Sequence, residues 1–547
     1  MKKILFSLFF MTVLMPVNAA ERSQSVMLQA AHDVLLPALS RGDNMPDLKV
    51  LYINEKLQVI GAEGCGFAVI ASDDRYDAVI GYSETDYVST PGSGLDWFIS
   101  AATESMKSGV DHAPVAASSD YATSVSPLLK TAWNQSKPYN NLCPTDSRGS
   151  AYPTGCVATA CSQIMNYHKY PVQGQGEKQY SFKPAEGVGC ILRANFGETI
   201  YGWDKMLDNY EIMAYTDEQA KAVATLMLHC GVAVEMNYTP SGSGAYTAEA
   251  RNGLIDFFRY NENIGYFIRD YYSQKEWMYM VYSELSKGRP IFYAGVDANG
   301  GGGHAFVIDG YNSAGLVHVN WGWGHNGGNG YYLISLLNSH NGTFSQGQEM
   351  LLGITTPSEP VEYTTHVVSD HPMSASVVAT FLNVGLGASL WNMFGYVWSG
   401  ELGVILEGEQ TYVLQSKAVT KVPNRKNVLD YNYIDGTIGG MLKLPSDIAN
   451  GNYRLYIGVK DEKTSDWQLV RRRSGDINSY TLTINAGKIS NLQAVSDDTW
   501  QRTTTAIRTI ENDVYSKSDK IYTLSGREVK SPQKGIYLRG GRKVVVK

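Results

Sequence analysis

Long apolar runs are scarce in this 547-residue chain, and after its first residues no stretch is long enough to span a bilayer. Basic charge is also short: Lys+Arg is 46 against Asp+Glu 53, with no basic block. A mildly acidic chain of this kind is a poor match for nucleic acid. Cysteine is sparse, with six residues (Cys65, Cys143, Cys156, Cys161, Cys190 and Cys230), no CxxC pair and no HExxH. That spacing excludes a structural zinc site of the usual kind and points to no metal or organic cofactor. Six is too few for a disulfide scaffold at this size, although the even count leaves three bridges open. No repeat of solenoid or propeller period is present.

What the sequence does have is globular composition, 44% hydrophobic and 18% charged, and enough length for several domains. Lys2 and Lys3, an apolar run from Ile4 to Met15 and the small pair Ala19-Ala20 form a secretory signal peptide over residues 1–20. Residues 21–117 combine strand patterns ("KVLYINEKLQVI", "GCGFAVIAS", "DAVIGYSE") with an amphipathic helix, "GLDWFISAATESMKSG", whose apolar face is Leu95, Phe98, Ile99 and Ala102. The stretch "DHAPVAASSDYATS" has no periodicity and reads as an exposed linker open to proteolysis. Residues 118–357 carry the motifs. Residues 358–490 alternate like the strands of an immunoglobulin-like β-sandwich. Residues 491–515 read as a polar linker. Residues 516–547 read as three short strands with glycine turns.

Two stretches bear on chemistry. In "AYPTGCVATACSQIMNYHKYP", Pro153-Thr154-Gly155 forbids a helix before Cys156, helical spacing follows it, and Pro171 marks the stop. Cys156 is therefore expected in the first helical turn. There the free N–H groups and the dipole favour a thiolate, and its own N–H is free to stabilise an oxyanion. Taken alone, the segment also allows a small buried hydrophobe, the reading adopted for Cys161. In "GGGGHAFVIDGYNSAGLVHVNWGWGHNGGNGYY", His304 opens a strand after glycines, and Asn320 lies on the next strand of a hairpin. Asn320 is the candidate to orient the imidazole, with Trp321 and Trp323 shielding that bond from water. His168, His318, His325 and His340 are expected to be structural, and Asp309 to serve a turn or structural role, with a ligand or orienting group as the alternative.

Together, in this order, "TGCVATACSQIMNYHKYP" and "GGHAFVIDGYNSAGLVHVNWGWG…GYYLISLLN" resemble the streptopain family of papain-like cysteine peptidases, peptidase family C10. "AWNQSKPYNN" and "VATLMLHCGVAVEMNYTPSGSGA" extend the resemblance over roughly residues 119–357. The resemblance implies an α+β fold: a papain-like catalytic domain at 118–357, an N-terminal inhibitory propeptide at 21–117, and C-terminal all-β domains. It implies Cys156 as nucleophile and His304 as base and acid, with Asn320, Trp321 or Trp323 holding the histidine. The six residues before Cys156 offer no side-chain amide, which leaves the second oxyanion donor unassigned. The last 32 residues ("IYTLSGREV", "KGIYL", "GRKVVVK") resemble the sorting domain of the type IX secretion pathway. That likeness implies outer-membrane export, then release or surface attachment. The expected partners are protein or peptide substrates, the chain's own propeptide as inhibitor, and that secretion machinery. Two competing readings use the same residues: acyl transfer to an amine by the same dyad, and a surface binding protein acting through the β-domain.

Overall fold

The computed structural model describes residues 20–36, 46–108, 114–183, 189–296, 303–337, 347–361, 367–386, 389–393, 397–423, 426–431, 438–462 and 466–498, and four short strands after residue 520. The expected signal peptide, Ala20 apart, and most of the expected 491–515 linker lie outside the described residues.

The N-terminal part begins with α1 (Gln24–Leu35), whose first turn is capped by the Ser23 hydroxyl. A meander follows: β1 (Lys49–Ile53), β2 (Leu57–Ala62), β3 (Gly66–Ala71) and β4 (Val79–Ser83), then α2 (Gly94–Ser108). Strand alternation sorts this meander into two faces. Ile60, Ala68 and Ile70 pack under Met27, Ala31 and Leu35 of α1. Leu57, Val59, Phe67 and Val69 face the main core together with Leu95, Phe98, Ile99 and Ala102 of α2, the apolar face expected for that helix.

The central part contains α3 (Cys156–His168), β5 (Glu177–Phe182), β6 (Cys190–Asn195), α4 (Asp217–Ala233), α5 (Thr247–Asp256), β7 (Gly265–Ile268), α6 (Gln274–Ser286), β8 (Ile291–Val296), β9 (Gly303–Tyr311), β10 (Val317–Asn320), β11 (Gly330–Tyr332) and β12 (Glu349–Leu352). One ten-stranded sheet runs β1-β2-β3-β4-β11-β10-β9-β8-β12-β7. The N-terminal meander is thus a continuation of the central sheet. At the seam, Tyr82 and Gly81 of β4 pair with Tyr331 and Tyr332 of β11. The Tyr82 and Tyr331 rings stack at 5.2 Å, and the Ser83 hydroxyl donates to the Asn329 carbonyl at 2.6 Å. Residues 114–124 leave this seam without regular structure and mostly solvent-accessible, as expected of the linker. They are tethered where the Tyr282 hydroxyl donates to the Val115 carbonyl.

The C-terminal part is a two-layer β-sandwich. Ser374–Val378, Phe381–Gly385 and Gly440–Lys443 form one layer. The other is built on Trp398–Glu407, Thr411–Val422, Gly451–Asp461, Ser479–Asn485 and Lys488–Val495. Leu382, Val384 and Leu442 meet Leu402, Val404, Leu455 and Ile457 between the layers. The last strand continues to Val495, beyond the boundary expected at 490. Its polar sequence hides it, because this edge strand turns most of its residues to solvent. The sandwich is clamped to the central part. Buried Arg471 reaches across to Glu276 in the first turn of α6 (2.5 Å), donates to the Tyr271 carbonyl (2.6 Å) and lies 3.9 Å over the Tyr272 ring. The central part itself extends past 357, since Glu359 accepts from Arg289 at 2.7 Å and its carbonyl accepts from Asn261.

The C-terminal segment pairs as four short strands rather than the expected three. Gly535–Arg539 and Arg542–Val546 pair antiparallel, with Arg539 opposite Arg542. All six cysteines are free thiols, so none of the three possible bridges forms.

Candidate active site

Cys156 is the first residue of α3, as its sequence context requires. Gly155 caps the helix at φ 88°, where an added Cβ would lie 2.7 Å from the Met236 sulfur and 2.9 Å from the Ser243 carbonyl oxygen. Only glycine fits that turn. The Thr159 hydroxyl donates back to the Gly155 carbonyl at 3.0 Å and sits 2.9 Å from the Thr154 hydroxyl. The helix ends at His168 through a left-handed cap at Lys169 (φ 49°), ahead of Pro171. Cys161 is buried in the main core, the role expected of it.

His304 is the second residue of β9, and α3 packs directly on that strand. His304 Nε2 lies 2.8 Å from the Trp321 carbonyl oxygen. A carbonyl only accepts, so Nε2 carries the proton and Nδ1 is the basic nitrogen. Asn320 is on the adjoining strand, as expected, but its amide does not reach His304. Its Nδ2 donates to the Thr131 carbonyl (2.6 Å), and its Oδ1 accepts from Gln163 Nε2 and from the Gly322 N–H, both at 3.1 Å. The expected orienting role therefore passes from the Asn320 side chain to the Trp321 backbone. The reason is position: Asn320 closes β10 with its side chain turned toward the 131–133 segment and α3, and the next carbonyl faces the imidazole. The two tryptophans flank His304, with Trp321 at 6.2 Å and Trp323 at 6.3 Å between ring centres.

Helix α2 closes the site from the N-terminal side. A Cβ at Gly94 would lie 2.8 Å from His304 Nε2 and 2.6 Å from the Trp321 ring. Trp97 packs on Trp321 and Phe306 (6.5 and 6.0 Å) and fills the space beside Gly295. This burial decides the charge state. His304 is pushed down to about 4 by loss of solvent, with its bond to Trp321 pulling the other way. Burial raises the Cys156 thiol, while the N–H groups of Ala305, Val157 and Cys156 itself lower it. Both groups are neutral near pH 7, and no hydrogen bond joins them. Desolvation raises the Cys156 thiol against the helix N-terminus and the three N–H groups, a shift opposite to the one expected at the helix start.

Other residues sort as follows. Asp309 is buried, accepts from the Leu129 N–H at 2.9 Å and pairs with His318 Nδ1 at 2.6 Å, so it orients His318. His168 bonds the Tyr260 hydroxyl and His229 the Tyr201 hydroxyl, both as structural groups. His325 lies beside the site, its backbone N–H held by Glu211, and His340 lies outside the described residues. Among the described residues no cluster of His, Cys, Asp or Glu is arranged to hold a metal ion. Sequence reasoning missed Gly94, Thr131 and Gln163. The last had a visible signal: a glutamine in a helix buried throughout residues 157–166 must find partners.

Residues 133–332 match the family model described as the Peptidase C10 family. The chain is 42% identical to a Prevotella intermedia prointerpain A fragment, covering 99% of that chain and 57% of this one with a TM-score of 0.52. The chain belongs to the peptidase C10 family. Among its other C10 relatives it is 30% identical to the thiol protease/hemagglutinin PrtT of Porphyromonas gingivalis over 458 residues, 78% of this chain. It is 29% identical to streptopain of Streptococcus pyogenes over 330 residues, 57% of this chain and 80% of streptopain. This C10 chain spans about half (51%) of the length of PrtT. The prointerpain match spans a proenzyme, and the described residues of the present chain likewise include the N-terminal meander and α2 packed on the site.

Proposed function

We propose that this chain is a cysteine endopeptidase made as a latent proenzyme, with Cys156 as nucleophile and His304 as general base and acid. One observation carries the reading. A cysteine at a helix start packs against the strand that bears a histidine, and that histidine has its proton fixed on the nitrogen bonded to Trp321. Proton transfer from Cys156 to Nδ1 generates the thiolate–imidazolium pair. The thiolate attacks the scissile carbonyl and forms a tetrahedral oxyanion. His304 then protonates the leaving amine, and water attacks the acyl-enzyme to release the acid and regenerate the thiol.

The Cys156 N–H is one oxyanion donor. The Gln135 amide is the second: its backbone carbonyl accepts from the Thr154 N–H at 3.1 Å, which brings this largely buried glutamine beside the Gly155-Cys156 turn. Residues 21–117 act as the propeptide. With α2 against His304, both members of the dyad stay neutral and unbonded. Self-cleavage in or near the accessible 114–124 stretch releases that contact. The substrates are host or environmental proteins, with an apolar residue favoured second on the acyl side of the cut. A signal peptide and the C-terminal strands deliver the enzyme through type IX export to the medium or the cell surface.

The test is incubation of the purified proenzyme and its Cys156→Ala variant in reducing buffer, followed by intact mass and casein digestion. Shortening near residues 105–122 with gain of activity, in wild type alone, is the expected result. Cleavage retained by Cys156→Ala overturns the assignment.

A further inference from the structure

A closed ring of buried amide hydrogen bonds ties the nucleophile helix to the loop that holds His304. Gln163 lies on α3, seven residues after Cys156. Its Oε1 accepts from the Thr131 hydroxyl (2.9 Å) and the Trp133 N–H (3.2 Å), and its Nε2 donates to Asn320 Oδ1 (3.1 Å). Asn320 Nδ2 returns to the Thr131 carbonyl at 2.6 Å, closing the ring. Gln163, Asn320 and Thr131 are all buried.

The ring acts on one peptide plane. The carbonyl of Trp321 and the N–H of Gly322 belong to the same rigid unit and point in opposite directions. Asn320 Oδ1 accepts from that N–H at 3.1 Å, so the opposed carbonyl is aimed at His304 Nε2, 2.8 Å away. The preceding peptide is held as well, because the Trp321 N–H donates to Asn329 Oδ1 at 2.8 Å. Gly322 takes φ 73°, and Thr159 of α3 lies 3.1 Å from where its Cβ would be, so the plane has little room to rotate.

We propose that Gln163 and Asn320 are positioning residues that lock the Trp321–Gly322 peptide and thereby fix the proton of His304 on Nε2, leaving Nδ1 for Cys156. This rests on Cys156 and His304 being the reacting pair. Without Gln163 the Asn320 amide loses its anchor on α3. The peptide plane then rocks, and the imidazolium formed during reaction loses its aligned acceptor. The loss falls on the charged intermediate and on the transition state, and leaves substrate contacts intact.

The experiment compares mature wild type with Gln163→Leu, reading both the pH profile of kcat/KM and the pH dependence of Cys156 alkylation by iodoacetamide. The expected result is kcat lower by about tenfold to a hundredfold with KM within about twofold, short of the ~10⁴-fold lost when an orienting group itself is replaced. Alkylation near pH 6 slows by about tenfold, as the thiolate fraction falls. Superimposable profiles for the two proteins overturn the proposal. A wild type whose Cys156 titrates as an ordinary thiol overturns instead the reading of the dyad. If Gln163→Leu does not accumulate as folded enzyme, Thr131→Val and Thr131→Ser decide. The valine must reproduce the shifted profile and the serine, which keeps the donor, must restore it; equal profiles count against the ring.

Discussion

Replacing Gly94 by alanine isolates the contact between α2 and His304 that is proposed to keep the proenzyme latent. Gly94 opens α2 with no left-handed backbone angle, so alanine is allowed by its local conformation and only its methyl group matters. That methyl would sit 2.6 and 2.9 Å from two Trp321 ring atoms and 2.8 Å from His304 Nε2, about 1 Å inside ordinary contact. Trp321 cannot yield. It is fully buried and packed by Trp97, Phe98, Phe306 and Tyr332. The start of α2 must lift instead. Overpacking of this kind costs about 1–3 kcal/mol, which weakens the closed state roughly 5- to 150-fold. Helix propensity offsets less than ~1 kcal/mol of that. The assay is the rate of Cys156 alkylation in the intact proenzyme, read by mass before any processing. Gly94→Ala should react several-fold to a hundredfold faster than wild type. Gly92→Ala serves as control, because Gly92 has φ 75° but nothing within 4 Å of an added Cβ. Equal rates for wild type and Gly94→Ala, or equal acceleration by Gly92→Ala, would refute the steric argument.

Two further outcomes follow from buried charge. Arg471→Ala removes the ion pair to buried Glu276 in the seam between sandwich and central part and should cost about 3–5 kcal/mol. Arg471→Met combined with Glu276→Leu should cost clearly less, and urea melts of the Cys156→Ala proenzyme carrying each change measure the difference. Separately, His168, His229 and His304 are held neutral by burial, each pushed down to about 4, whereas the unfolded chain takes up these protons near pH 6.5. The stability they contribute is complete above about pH 6.5 and is lost as pH falls through about 4. The melting temperature of the Cys156→Ala proenzyme should drop between pH 7 and pH 4.5. His229→Gln, which keeps an acceptor for the Tyr201 hydroxyl, should show a shallower drop. An unchanged slope in that variant removes His229 from the account.

Local chemistry was legible in the sequence where one residue dictates its own geometry. Gly155 before Cys156, the glycines before His304 and the apolar face of α2 each announced a turn, a strand start or a packed helix. Partners across the fold were not legible. Asn320 was expected to reach His304 because both lie on one hairpin, yet its amide bonds to Gln163 and Thr131, 157 and 189 residues away. The same limit hid Gly94, whose importance comes entirely from which indole and imidazole the folded chain brings to it. The shifts of Cys156 and His304 were also invisible, since they depend on how the folded chain buries both groups. The edge strand to Val495 was missed for a different reason: a strand with little to bury carries little hydrophobic pattern.

The junction between β4 and β11 has a consequence for the order in which the chain acquires its structure. Ser83 and Asn329, hydrogen-bonded across it, are 246 residues apart, whereas the pairings among β1, β2, β3 and β4 join neighbours in sequence and already have α1 to cover one face. Local pairings form early and distant ones wait on loop closure. During synthesis the N-terminal meander is thus complete while β8 to β11 are still emerging, and it presents the edge of β4 as a fixed template. Strand β11 is only three residues long and too short to define its own register. It lies between β4 and β10 in the sheet, with β9 next. The N-terminal part that packs α2 against His304 thus also extends the sheet whose strand carries His304.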